Sequence, residues 1–113
     1  MGTNYYAFVE GEKVHIGKRS CGWSFSWDFQ NNKYYFNLAS LLKFLSKHEI
    51  CDEYSRMMKW YDFVSMAMNC TPDTSSPGFI MPEGATLING LIIHEKYYII
   101  IDGLCVSKNV DFF

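Results

Sequence analysis

The chain has 113 residues and a formal net charge of -2, which fits a single domain over residues 1–113 with a core of its own. This near-neutral charge argues against bulk binding to the backbone of DNA or RNA, which depends on neutralising many phosphates. No stretch approaches the roughly 20 apolar residues of a membrane span, and the N-terminus lacks the regions of a signal peptide. Aromatic residues make up 18% of the chain, which argues against disorder and indicates a core built on rings or an adhesive surface.

The four cysteines, Cys21, Cys51, Cys70 and Cys105, lie far apart and form no Cys-x-x-Cys pair. Because nothing signals export, we expect reduced and mostly buried thiols rather than disulfides. The cysteines and the three histidines show no metal-ligand spacing. The sequence therefore predicts neither a metal nor a cofactor.

The first third of the chain has the alternation and the turn residues of an antiparallel meander. Four strands are predicted here: Tyr5–Glu10, Lys13–Ile16, Trp23–Asp28 and Tyr34–Phe36. Gly11-Glu12 is predicted as the turn of the first hairpin. The segment from Gly17 to Gly22 is predicted as a cationic turn, because the glycines that bound it tolerate positive φ.

Two helices are predicted in the middle of the chain. Asn37 is a good N-cap for the first helix. Its leucines recur at helical spacing: Leu38, Leu41, Leu42 and Leu45. Ile50–Tyr54 is predicted to be extended, and the apolar pattern of Met57–Asn69 predicts the second helix. Cys70–Gly78 is rich in turn formers and predicts a surface loop.

The last third of the chain is predicted to be β-rich. Its strands are Phe79–Met81, Ala85–Ile88, Leu91–His94, Tyr97–Asp102 and Leu104–Ser107. Asp102-Gly103 between apolar residues predicts a tight hairpin turn. Tyr98–Ile101 is apolar on both faces, which is typical of a strand covered on both sides. The predicted class is therefore α+β, an antiparallel β-sheet with two helices packed on one face.

The unusual chemistry of the sequence is concentrated between His15 and Asp28. A cationic loop that leads into an aromatic ladder suits a planar anionic ligand such as a nucleotide. The cations and backbone N–H groups hold phosphate, and a ring stacks on the base at about 1–3 kcal/mol. The candidate ligand-binding residues are Asn4, Tyr6, His15, Gly17, Lys18, Arg19, Ser20, Trp23 and Phe25. The structural alternative is that the cations are solvated turn charges and the rings belong to the core.

Three segments carry a resemblance to a known family: the opening Met-Gly-Thr-Asn-Tyr-Tyr, the block His-Ile-Gly-Lys-x-Ser-x-Gly-Trp-x-Phe from His15, and Asp52-Glu53-Tyr54. Residues 1–65 resemble a family of small bacteriophage-encoded proteins. This chain departs from the family by lacking an insert before His15, by carrying Ser55 where others have glycine, and in its C-terminal third. The resemblance implies a phage or prophage origin and expression in the host bacterial cytoplasm. It also implies an accessory role against host defence, an analogy of context rather than of mechanism.

Three functions follow as hypotheses. The first is a binding protein that sequesters a nucleotide-like host defence signal. The second is an inhibitor that blocks a host defence protein or nuclease through its aromatic and Met-rich surface. The third is an enzyme that uses His15 as a general acid or base, although no catalytic motif supports it. Homo-oligomerisation fits the first two, because so many rings are hard to bury in one small chain.

Overall fold

The computed structural model describes residues 2–20, 24–30, 33–70, 81, 83–88, 91–94 and 98–107. The described strands are β1 (Gly2–Val9), β2 (Glu12–Ser20), β3 (Ser26–Asp28), β4 (Ile50–Asp52), β5 (Met57–Met58), β6 (Ala85–Ile88), β7 (Leu91–His94), β8 (Tyr98–Ile101) and β9 (Leu104–Ser107). The described helices are α1 (Leu38–Leu45) and α2 (Trp60–Met68). Seven strands form one sheet in the order β5-β4-β1-β2-β3-β9-β8, and β6 and β7 form a separate hairpin. The predicted α+β class is confirmed, and the sheet is mixed because β3 and β9 pair in parallel.

The first hairpin sets the geometry of the sheet. Its turn is Glu10-Gly11, with φ of 51° and 83°, so the turn lies one residue earlier than predicted. Along β1 and β2 the register is regular except at one point, where Tyr5 lies opposite Gly17 but Tyr6 lies opposite His15. Ile16 is therefore an extra residue, a β-bulge that reverses the alternation of faces along β2.

One face of the sheet, the core face, is covered by both helices, as predicted. Tyr5, Ala7 and Trp27 share a single core with side chains of both helices. The ring of Phe63 in α2 lies 5.2 Å from the ring of Tyr5 and 5.7 Å from that of Trp27, measured between centroids. The helix α1 contributes three buried residues, Leu41, Phe44 and Leu45. Its predicted N-cap is confirmed, since the side chain of Asn37 accepts a hydrogen bond from the backbone N–H of Ser40 at 2.8 Å.

The predicted cationic turn is wrong over residues 17–20, which belong to β2. Gly17 pairs with Tyr5 on one side and with Trp27 on the other, so its backbone is committed to a central strand. A Cβ at this position would collide with the ring of Phe25 and come within 2.6 Å of the carbonyl oxygen of Ser26. Gly17 is therefore needed for close packing and not for a turn.

Several further boundaries differ from the sequence prediction. Ser24 and Phe25 lie outside β3, and Glu53–Tyr54 forms a turn after β4. Two more differences have a clear physical cause. Tyr34–Phe36 forms no strand, because the backbone N–H of Phe36 donates to Ser40 Oγ at the entrance to α1. The second helix begins at Trp60 rather than Met57, because Met57–Met58 pairs with β4 as an edge strand. In both places a hydrogen bond to another segment overrides the local pattern.

The strands predicted at Ala85–Ile88, Leu91–His94 and Leu104–Ser107 are confirmed, and Tyr98–Ile101 of the predicted Tyr97–Asp102 forms β8. Met81, the described residue of the predicted strand Phe79–Met81, belongs to no strand. Asp102 and Gly103 have φ of 50° and 80°, which suits the predicted two-residue hairpin turn. The prediction that β8 is covered on both faces is wrong, since Ile99 is 40% exposed. Beyond Cys70 the predicted loop to Gly78 lies outside the described residues, as does the strand Phe79–Met81 except for its last residue.

Candidate functional site

The second face of the sheet, opposite the helices, carries most of the predicted site. We call it the polar face and define it by Asn4 on β1, His15 on β2 and Asp28 on β3. His15 reaches this face because of the bulge at Ile16. In a regular strand it would lie on the same side as Gly17, which packs into the core.

His15 links the three central strands through both of its ring nitrogens. Nδ1 lies 2.8 Å from Asp28 Oδ2, and Nε2 lies 2.8 Å from Asn4 Oδ1. Both partners are oxygen atoms, so one side chain of β2 joins the Asn4 amide on β1 to the Asp28 carboxylate on β3, which is only 3% exposed.

Asp28 is the member of this cluster that was not among the candidate residues predicted from the sequence. Its carboxylate also accepts a hydrogen bond from the backbone N–H of Gln30 at 3.1 Å, and its carbonyl oxygen accepts one from the hydroxyl of Tyr35 at 2.7 Å. Asp28 and His15 are polar positions on strands that were predicted to be neighbours, but the sequence shows no sign of the bulge at Ile16 that brings His15 to the face of Asp28.

Tyr6 lies beside His15 on the polar face. The two rings are 5.4 Å apart and meet edge to face, and Nζ of Lys13 lies 5.6 Å from the centroid of the Tyr6 ring. Burial raises the pKa of Tyr6, and the negative charge of Glu53 adds to the effect. Glu53 is held in place by the backbone N–H of Asn4, which donates to its Oε1 at 3.0 Å.

The structure brings four of the nine candidate residues to the polar face: Asn4, Tyr6, His15 and Lys18. Lys18 lies directly opposite both Asn4 and Ser26 in the strand register. Arg19 is exposed and, as the next residue of a strand, points to the opposite face. The cluster is therefore a polar patch with one of the two predicted cations rather than a cationic loop.

Two other candidate residues, Gly17 and Phe25, belong to the core face instead. Gly17 is buried in the core face, and the ring of Phe25, at 2% exposure, packs 4.6 Å from Trp27 and 5.5 Å from Phe63. The Phe25 ring is therefore not available to stack on a ligand. Ser20 is the last residue of β2, and Trp23 lies outside the described residues.

The described cysteines, Cys51, Cys70 and Cys105, form no disulfide with one another. Cys51 and Cys105 are both buried. Burial raises the pKa of Cys105 to about 12 and also raises that of Cys51. Since the thiolate is the nucleophile, neither side chain is suited to covalent chemistry at neutral pH.

A second surface stands out at the far end of the sheet from β8, where β5 leads into α2. It is a groove of about 510 Å³ that we call the Met/Tyr groove. It is lined by His48, Glu49, Met57, Met58, Lys59, Trp60 and Tyr61. The side chains of Met57 and Tyr61 are 53% and 50% exposed, and Nζ of Lys59 lies 5.8 Å from the centroid of the Tyr61 ring.

The fold and these two surfaces define a small α+β protein with a polar sheet face and an apolar groove. Comparison with protein-family models, with curated proteins and with solved structures finds no match for the chain. Among the described residues, neither helix has the length and apolar character needed to cross a membrane. Functional inference therefore rests on the two surfaces themselves.

Proposed function

We propose that this protein acts by binding another protein through the Met/Tyr groove. In the context that the phage resemblance implies, the partner is a host defence protein or nuclease whose activity is blocked. The observation that carries the proposal is the exposure of large apolar side chains around the groove, led by Met57 and Tyr61. Contiguous exposed apolar surface with a polar rim is characteristic of interaction sites.

The composition of the groove supports a protein partner. Aromatic residues and methionine are enriched at the centre of protein interfaces, and the flexible thioether of methionine adapts to irregular surfaces. The rim carries His48, Glu49 and Lys59, so the apolar centre has polar groups at its border. The same surface extends along α2, because Tyr61 and Met68 are seven residues apart and Met68 is also exposed.

The test is retention of a bacterial protein from host lysate by the immobilised protein. Tyr61→Asp places a charge at the groove. Leu87→Asp is the matched control, because Leu87 is a similarly exposed apolar residue on β6. We expect a specific protein to be retained by wild type and by Leu87→Asp and to be lost with Tyr61→Asp, each variant first shown to be folded by circular dichroism. Equal retention by Tyr61→Asp contradicts the proposal.

The polar face supports a second candidate function, sequestration of a nucleotide-like host defence signal. The specific observation is that Asn4, Tyr6, His15 and Lys18 share one face, with Lys13 beside the Tyr6 ring. The cations Lys13 and Lys18 suit an anionic ligand, whereas Asn4 is only 4% exposed and its Oδ1 already contacts His15. The loss of Phe25 as a stacking ring weakens this candidate relative to the first.

Thermal unfolding against a panel of nucleotides, cyclic dinucleotides and ADP-ribose derivatives tests the second candidate. A ligand at about 100 times its dissociation constant stabilises the fold by ~2.7 kcal/mol, which is several degrees for a domain of this size. Lys18→Ala should remove the shift, whereas Arg19→Ala should keep it because Arg19 points to the other face. No shift across the panel, or equal loss with both variants, counts against a site on the polar face.

A further inference from the structure

The two ends of the seven-stranded sheet are protected to different degrees. At one end β5 has only two residues, Met57–Met58, and is flanked by the cations Arg56 and Lys59. At the other end β8 runs for four residues, Tyr98–Ile101, without a charge or a proline. Short length and flanking cations are the devices that keep edge strands from pairing with other chains. Among the described residues, β8 is the end of the sheet that lacks them.

The outward-facing backbone groups of β8 follow from its hairpin with β9. The two-residue turn at Asp102-Gly103 closes on the pair Ile101 and Leu104, which makes this a hydrogen-bonded pair. Since such pairs alternate in an antiparallel ladder, Ile99 also bonds towards β9. The N–H and C=O groups of Tyr98 and Ile100 therefore point away from β9, where the structure describes no further strand of the sheet.

The exposed side of β8 continues into an apolar groove on the core face. The groove has a volume of about 350 Å³ and is lined by Phe29, Gln30, Phe36, Ile99, Ile101, Val106 and Ser107. Phe36 is 76% exposed and Ile99 is 40% exposed. None of the lining residues carries a charge, in contrast to the Met/Tyr groove at the other end of the sheet.

We propose that β8 pairs antiparallel with β8 of a second copy of this chain, about a two-fold axis at Ile99. In this register Tyr98 of one copy lies opposite Ile100 of the other, so the outward N–H and C=O groups of both residues form four hydrogen bonds. Ile99 lies opposite Ile99 of the second copy as a non-hydrogen-bonded pair, with Cα atoms about 4.5 Å apart.

A second copy fits this edge for two reasons. Neither β8 nor the residues that line its groove carry a charge, so two identical copies of this surface can meet without electrostatic repulsion. A two-fold axis perpendicular to the sheet also keeps the core faces of both copies on the same side. The two grooves then lie next to each other and form one continuous apolar surface, which a partner without this groove would not reproduce.

Sedimentation equilibrium and oxidative cross-linking of the purified full chain test this interface. We expect a dimer for wild type and for Leu87→Lys, and a monomer for Ile99→Lys, because two lysines would meet at the axis. We also expect Ile99→Cys to form an intermolecular disulfide on mild oxidation, since the Cα separation suits one. Ile101→Cys should cross-link no more than wild type, because its two copies lie about 13 Å apart along the strands.

Several outcomes would overturn the proposal. These are a monomeric wild type at concentrations of about 100 μM, a dimer that persists in Ile99→Lys, and equal cross-linking of Ile99→Cys and Ile101→Cys. If Ile99→Lys fails to fold, the comparison of the two cysteine variants decides, because both keep the strand neutral. Binding of a different protein at β8 by a monomeric chain also contradicts it.

Discussion

Gly17→Ala is the sharpest test of how the centre of this sheet is packed. An ideal Cβ at position 17 would collide with Cε1 of Phe25, and it would lie 2.7 Å from Cζ of the same ring and 2.6 Å from the carbonyl oxygen of Ser26. The ring is held among core side chains, and the carbonyl belongs to a neighbouring strand, so neither gives way easily. Overpacking of this kind costs typically 1–3 kcal/mol, and two rigid neighbours place the cost near ~3 kcal/mol.

For a chain of this length, ~3 kcal/mol lowers the thermal midpoint by roughly 10–15 °C. Differential scanning calorimetry of wild type and Gly17→Ala measures this difference in thermal midpoint. Gly103→Ala is the matched control, because Gly103 has φ of +80° and no atom within 4 Å of the added Cβ. The free energy of unfolding of Gly103→Ala should fall by only about 1 kcal/mol, which is the cost of a left-handed backbone conformation for alanine. A Gly17→Ala protein no less stable than Gly103→Ala would refute the packing argument.

Three more predictions concern single residues. Ser55 has φ of 64°, so Ser55→Gly should raise the free energy of unfolding by about 1 kcal/mol in urea denaturation, and a loss of stability would contradict the backbone argument. Burial opposes ionisation of Asp52, but hydrogen bonds from the backbone N–H groups of Arg56 and Tyr54 and from the Arg56 side chain outweigh it and lower the pKa of Asp52 below its ordinary 3.8. The stability that Asp52 contributes is therefore complete above pH ~3.8 and is lost as the pH falls through the folded-state pKa. The free energy of unfolding of Asp52→Asn should be lower than that of wild type at pH 7, and the two values should approach each other in acid. A difference between the two that stays constant over this pH range would argue against the lowered pKa. Burial raises the pKa of Cys105 to about 12, so this thiol should not react with iodoacetamide at pH 8 in the native protein but should react once urea unfolds it. Mass spectrometry locates the label, and rapid labelling of Cys105 in the native protein would contradict the raised pKa.

The parts of the fold that the sequence predicts well are those that local chemistry determines. Asn37 caps α1 because its own side chain satisfies a backbone N–H three residues on. Asp102-Gly103 forms a tight turn because both residues adopt positive φ.

The parts that the sequence does not predict depend on residues far along the chain. A glycine next to two cations looks like a turn, yet Gly17 is held in a strand by neighbours on both sides. The bulge at Ile16 has no local signature, so the side on which His15 lies is not foreseeable from alternation alone. Contacts between distant residues also separate the predicted site into two parts. Phe25 packs in the core, whereas Asp28 lies on the polar face beside His15.

The parallel pair of β3 and β9 has a consequence for how the protein is made. Val106 lies opposite Trp27, and the hydroxyl of Ser107 donates to the carbonyl oxygen of Trp27 across 80 positions of sequence. On the ribosome the first hairpin and both helices emerge before β9, so β3 has no strand on its outer side until β9 is made. Closure of so long a loop is the slow kind of step, and the sheet is completed only after β9 has been synthesised. A chain that stops before β8 would therefore leave β3 as an edge strand, and the truncated product would be a substrate for proteolysis rather than a smaller working domain.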